Sequence, residues 1–189
     1  MSDTEYPLPD DLPEPEDDGA ADHLLGMALP SVRLPATDGS TVDLAARSGR
    51  SVVYCYPMTG RPDQNVVPDG WDEIPGARGC TPESCGFRDH HDELQSVGAN
   101  AVFGLSVQVS DYQREARDRL ELPFELLSDA EFAFAEALEL PTFTVDGNRY
   151  LQRLTLVVKN GTVEHAFYPV FPPDQHAGEV ADWLAKNVD

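Results

Sequence analysis

The chain reads as an α/β domain with a mixed central sheet flanked by helices. Three observations carry that expectation. Residues 51–56 and 101–107 are continuous apolar runs of strand length, each followed by a segment with helical spacing, the pattern of parallel strands joined by crossovers. Residues 153–158 and 163–168 flank Lys159-Asn160-Gly161-Thr162, where Asn-Gly signals a hairpin and so adds an antiparallel pair. The length of 189 residues fits one domain able to bury most of its apolar surface without cross-links.

The elements follow in order. Residues 1–22 hold nine of the 34 acidic side chains, four prolines and no Lys or Arg. Such a segment buries too little apolar area to offset chain entropy, so it is expected to be disordered, leaving 23–189 as the folded domain. From Leu24 the chain reads as folded: 29–34 extended, 37–40 a turn, 41–44 extended again. The strand at 51–56 ends at Pro57. A Pro/Gly-rich loop at 60–79 follows, and a structureless stretch of that length inside a domain is usually functional or mobile. Residues 82–97 have helical spacing, with Phe87, Leu94 and Val97 available for one face and Gly98 as the stop. Beyond the strand at 101–107, Ser110 or Asp111 caps a helix running to Leu120. Residues 124–127 form a short extended piece, Ser128 opens a helix over 130–138, and an amphipathic helix covers 174–187 after the hairpin.

The net charge is −21, and it is not confined to the first 22 residues. Such a surface repels nucleic acid and anionic membrane, which excludes both as partners. An acidic chain whose only lysines are Lys159 and Lys186 suits a high-salt cytoplasm and an ordinary acidic protein alike. An odd count of three cysteines, with no apolar leader or membrane-length stretch, predicts a soluble protein of a reducing compartment, the cytoplasm.

Two of those cysteines, Cys80 and Cys85, share one short segment. Cys80 precedes a helix-start signal: Thr81 as N-cap, Pro82 at the first helical position, Glu83 in the first turn. Unpartnered amides at a helix start favour thiolate over thiol. Taken alone, Cys80 is either such a reactive thiol or an inert buried one. Cys55, within an apolar strand between Tyr54 and Tyr56, reads as inert core. Cys80, Cys85, His90 and His91 also raise a zinc site, but four ligands strung along one helix cannot all face one ion, so no metal is expected.

The segment from Cys80 to Asp89, with two cysteines separated by four residues leading into Gly86-Phe87-Arg88-Asp89, resembles the peroxidatic segment of Q-type peroxiredoxins, the bacterioferritin-comigratory group. Gly104-Leu105-Ser106, the run from Leu122 to Asp129 and the strand opening at Arg153 resemble family segments in the same order, so the similarity spans most of 24–187. The resemblance implies a thioredoxin-like fold and a thiol-dependent peroxidase that needs no bound cofactor. Cys80 would attack hydrogen peroxide or an organic hydroperoxide and become a sulfenic acid, with Arg153 holding the thiolate and polarising the peroxide. Cys85 would resolve the sulfenic acid as a disulfide, which thioredoxin or a similar dithiol would reduce; the chain would act as a monomer or homodimer. On a helix the two side chains stand about 140° apart with Cα atoms about 8 Å apart, beyond bridging reach, so the first turn must unwind in each cycle.

The family pattern also implies roles for Pro57 and Thr59 beside the cysteine. The spacing departs from it here: Thr59 lies 21 residues before Cys80 rather than three, so about 18 residues are inserted and Ala77 stands where the threonine would be. Either the insert loops out and returns Cys80 to Thr59, or the thiolate lacks its usual hydroxyl partner. The insert carries Arg61, Trp71 and Arg78, and reads as a lid, a docking surface or a solvated loop. Two rival readings remain. One is a redox or interaction module that has lost peroxidase chemistry, for which the displaced Thr59 argues. The other is a thiol-disulfide oxidoreductase, against which the four-residue cysteine spacing argues.

Overall fold

Strand alternation decides which face of a sheet each side chain serves, and here it separates Cys55 from the other two cysteines. The computed structural model describes residues 6–188. A short pair, β1 (Leu34–Pro35) and β2 (Thr41–Val42), precedes β3 (Arg50–Cys55). Then come α1 (Cys80–Asp89), α2 (His91–Ser96), β4 (Ala101–Ser106), α3 (Ser110–Arg119), β5 (Leu126–Ser128) and α4 (Ala133–Ala137). The hairpin β6 (Thr142–Val145) and β7 (Asn148–Leu151) leads to β8 (Leu154–Lys159), β9 (Thr162–Phe167) and α5 (His176–Lys186).

The central sheet has the order β5-β4-β3-β8-β9. Strands β3, β4 and β5 run parallel, and β8 is antiparallel to both β3 and β9. This is the thioredoxin-like mixed sheet. Val52, Tyr54 and Tyr56 face the layer of α1 and α5, packing with Cys80, Cys85, Phe87 and Leu184. Val53 and Cys55 face the opposite core with Leu34, Leu105, Phe134 and Leu156. The same alternation runs through β8: Leu154 and Leu156 belong to the second core, Val157 to the first. Arg153, one residue ahead of β8, has the parity of Val157 and so points toward α1.

Several expectations need correction. The single helix expected over 82–97 is two helices, α1 and α2. It begins at Cys80 with Gly79 as N-cap in the left-handed region, so Thr81 is inside the helix and caps nothing. The break falls at His90, whose backbone N–H and ring Nδ1 both go to Gly86 O, at 3.0 and 2.9 Å. The helix expected over 130–138 shortens to α4, because Phe132 adopts φ +60° and the Asp129 carboxylate takes the N–H groups of Phe134 and Ala135 at 3.0 and 2.8 Å. The hairpin β6–β7 was not anticipated. Its turn is Asp146-Gly147, both at positive φ, as a two-residue hairpin turn requires.

Residues 6–22, expected to be disordered, lie against the domain. Tyr168 donates to Asp18 at 2.9 Å, Ala21 is buried, and Pro15 and Leu8 lie against Gly76 and Gly79. Apart from Asp18, the acids of this segment face outward while its apolar residues and prolines make the contacts, a division that composition alone does not reveal. Residues 1–5 of that expectation lie outside the described residues. Among the described residues no helix is long and apolar enough to cross a membrane.

Candidate functional site

Gly79 sets the start of α1. Its φ of +113° is unfavourable for a side chain, and a Cβ there would stand 2.4 Å from Pro173 Cγ. Cys80 therefore opens α1 pressed toward the sheet, 3% exposed, at the floor of a cavity of about 380 Å³. Apolar side chains from three segments wall that cavity: Tyr6, then Met58, Val67 and Trp71, and Pro82.

Arg153 is the principal partner of the Cys80 sulfur. The guanidinium is buried, and Nη2 donates to Sγ at 3.2 Å and to Ala77 O at 2.9 Å. Nε donates to Gly76 O at 3.1 Å, and Nη1 to Glu83 Oε2. A fork with that many acceptors has one orientation, aimed at the sulfur. Burial pushes the Cys80 thiol above its usual 9.0; the Arg153 charge opposes this, Glu83 adds to it, and the Arg153 N–H and the Met58 amide pull back.

The insert at 60–79 does more than loop out. Trp71 is buried and packs at 5.6 Å from the Phe143 ring and 5.1 Å from Tyr150, on the unanticipated hairpin. Arg78 pairs with Asp72 at 2.8 Å within the insert. Its last residues supply the carbonyls that hold Arg153. Ala77, in the position three before Cys80, offers a backbone oxygen, to which the Cys80 thiol donates at 3.8 Å.

Thr59, for which the family pattern implies a place beside the cysteine, bonds to Gln108 and Tyr112. Its backbone N–H and hydroxyl both donate to Gln108 Oε1, at 3.1 and 3.4 Å, and its carbonyl accepts from Tyr112 at 2.9 Å. The chain turns into the insert immediately afterwards, so Thr59 stays with Gln108 and α3 while Cys80 returns beside Met58. Pro57 is buried just ahead of Met58, whose amide faces the sulfur.

Cys85 lies five residues along α1, buried beside the aromatic stack of Tyr54 on Phe87, whose centroids are 4.4 Å apart. No disulfide joins any two of the three cysteines. Cys55 is sealed on the other face of the sheet, and burial pushes its thiol far up, which suits inert core. His90 is bound to Gly86, His91 lies against the Phe124 ring, and among the described residues no group of three or more His, Cys, Asp or Glu side chains is placed to hold a metal ion.

Sequence reasoning missed Glu83 and the carbonyls of residues 76–78. Glu83 reads locally as a first-turn carboxylate of ordinary kind, and its partner Arg153 stands 70 residues away.

Comparison with known proteins shows the family and the fold. The family model described as Redoxin matches residues 24–183. Among curated proteins, a chloroplastic peroxiredoxin Q of Oryza sativa subsp. japonica is 32% identical over 155 residues, covering 82% of this chain and 63% of its own length. A peroxiredoxin bcp of Coxiella burnetii is 29% identical over 167 residues, covering 85% of this chain and 97% of that protein. This chain thus spans less than two thirds of the rice relative and nearly all of the bacterial one. Among solved structures, peroxidoxin BcpB of Mycobacterium tuberculosis superposes with a TM-score of 0.69 at 24% identity, covering 87% of this chain and 98% of that one, a likeness of fold.

Proposed function

Because the chain belongs to the Redoxin family, and within it to the Q-type peroxiredoxins, we propose that it reduces hydrogen peroxide or organic hydroperoxides through Cys80. The observation that carries this reading is the Arg153 Nη2 to Cys80 Sγ contact of 3.2 Å at the floor of an open cavity. The Cys80 thiolate attacks the terminal oxygen of R–O–OH; an S–O bond forms, the O–O bond breaks, and the alkoxide leaves to be protonated as alcohol or water. Arg153 supplies fixed positive charge where the sulfur and the departing oxygens carry negative charge. The apolar walls at Tyr6, Met58, Val67 and Trp71 suit the organic part of a hydroperoxide.

Cys85 then attacks the Cys80 sulfenic acid, expelling water and forming the Cys80–Cys85 disulfide. Thioredoxin or a similar dithiol returns both to thiols, which fits a reducing compartment such as the cytoplasm. Cys85 sits in the second turn of α1 against Tyr54 and Phe87, so unwinding the first turn brings Cys80 to it. Pro57 serves by setting the chain ahead of the Met58 amide; Thr59 acts only at one remove, by fixing the β3 exit through Gln108.

Peroxide consumption by Cys80→Ser and Cys85→Ser variants tests this. Cys80→Ser is expected to be inactive; undiminished consumption would sink the assignment. Cys85→Ser is expected to form sulfenic acid at the wild-type rate and to stall with thioredoxin. The displaced Thr59 favours a second reading, a redox module without peroxidase activity, which an unreactive Cys80 in the reduced protein would support.

A further inference from the structure

Glu83 is fully buried, and its two oxygens are treated unequally. Oε2 accepts from Arg153 Nη1, whereas Oε1 has no hydrogen-bond partner. Across the same guanidinium, Nη2 donates to Cys80 Sγ at 3.2 Å. One cation therefore serves two acids in a dry interior. Were both ionised, the buried cluster would be left with an uncompensated negative charge, which desolvation opposes strongly.

The other groups that face Glu83 come from the sheet and from α5. From β3, Tyr54, Cys55 and Tyr56 lie within its field, and all three are held neutral by burial. From the residue just ahead of β8 there is Arg153, with Thr155 of β8 behind it. From α5 there is His176, whose Nε2 lies 2.8 Å from Thr155 Oγ1 and whose Nδ1 lies 3.4 Å from Glu179 Oε2. Burial pushes Glu83 above its usual 4.5 against the pull of Arg153 and His176.

We infer that Cys80 and Glu83 share a single proton across Arg153, held by Glu83 while Cys80 is the reactive thiolate and released when Cys80 becomes a sulfenic acid. The inference rests on the peroxidase reading and makes Glu83 a positioning residue for charge. The neutral carboxyl carries its hydrogen on Oε1, the oxygen that has no donor, while Oε2 goes on accepting from Arg153. As the S–O bond forms and the O–O bond breaks, sulfur loses its negative charge and an alkoxide departs. Arg153 then faces one acid alone, Glu83 ionises, and its proton balances the one the alkoxide takes up. Thiolate, carboxylic acid and hydroperoxide become sulfenic acid, carboxylate and alcohol, with no net proton drawn from solvent.

The test is infrared difference spectroscopy on Cys85→Ser protein at neutral pH, before and after one equivalent of cumene hydroperoxide, with dimedone labelling of Cys80 alongside. The reduced protein is expected to show the carbonyl stretch of a neutral carboxylic acid, lost on oxidation and absent from the Cys85→Ser, Glu83→Gln double variant. A pH indicator should record no net proton uptake by the Cys85→Ser protein and one proton per oxidised cysteine by the double variant. A reduced spectrum without the acid band, or a band that oxidation leaves in place, would overturn the inference. If that happens while Cys80 still labels, the peroxidase reading stands; if Cys80 does not label, that reading falls and this one with it. Should the double variant not fold, the Cys85→Ser difference spectrum alone decides.

Discussion

A single nitrogen of Arg153, Nη2, holds the Cys80 sulfur at 3.2 Å and the Ala77 carbonyl at 2.9 Å. That contact ties the Cys80 sulfur to the end of the 60–79 segment. The carbonyls of residues 76–78 are acceptors that fix the arginine, so the guanidinium orientation depends on them as much as on β8.

Arg153→Lys keeps the charge but not the fork. A lysine nitrogen cannot reach the sulfur, Glu83 and the carbonyls of Gly76 and Ala77 together. Stopped-flow measurement of Cys80 oxidation should show the rate constant lowered about 10²–10³-fold, the range for removing one preorganised donor. A decrease below about tenfold would mean that charge alone suffices.

Stability should fall as pH rises above the usual carboxylate range. Burial raises the folded-state pKa of Glu83 above 4.5, so between that value and the folded one the native chain binds more protons than the unfolded chain. Unfolding free energy then decreases with rising pH. Urea unfolding across the acidic to neutral range should show this slope in the wild type and a flatter one in Glu83→Gln; equal slopes would contradict the assignment.

Trp71→Ala should loosen the insert. Its ring is held between Phe143 and Tyr150, and deleting a buried Trp side chain typically costs about 3–5 kcal/mol. With one cavity wall gone, kcat/KM for cumene hydroperoxide relative to hydrogen peroxide should drop about tenfold, the worth of a modest apolar contact. An unchanged ratio would show that the cavity does not select substrate.

Gly79→Ala should destabilise the start of α1. At φ +113°, with a Cβ 2.4 Å from Pro173 Cγ, the variant is expected to lose more than about 1 kcal/mol. Thiol-specific labelling of Cys80 in the reduced protein should become faster as the first turn opens. Slower or equal labelling would argue against a first turn poised to unwind.

What the sequence made legible were the features encoded over a few neighbouring residues. The apolar runs of β3, β4 and β8, the Asn160-Gly161 turn and a helix opening just beyond Cys80 all rest on local spacing. Arg153 emerged only through resemblance, because nothing near it marks a strand-end arginine as catalytic. The Glu83–Arg153 pair was not legible, since burial of a helix acid depends on what arrives 70 residues later. Asp146-Gly147 carried a turn signal, but its flanks, with Thr142, Thr144, Asn148 and Arg149, lack the apolar runs that make strands stand out. Residues 6–22 read as disordered because composition averages over Tyr6, Leu8 and Pro15, the few side chains that touch the domain.

The central claim is that Cys80 is oxidised first and Cys85 second. Peptide mapping by mass spectrometry after one equivalent of peroxide tests it most directly. A Cys80–Cys85 disulfide in the wild type, with sulfenic acid on Cys80 alone in Cys85→Ser, is the predicted result. Oxidation that begins at Cys85 or Cys55, or a disulfide that excludes Cys80, would contradict the account.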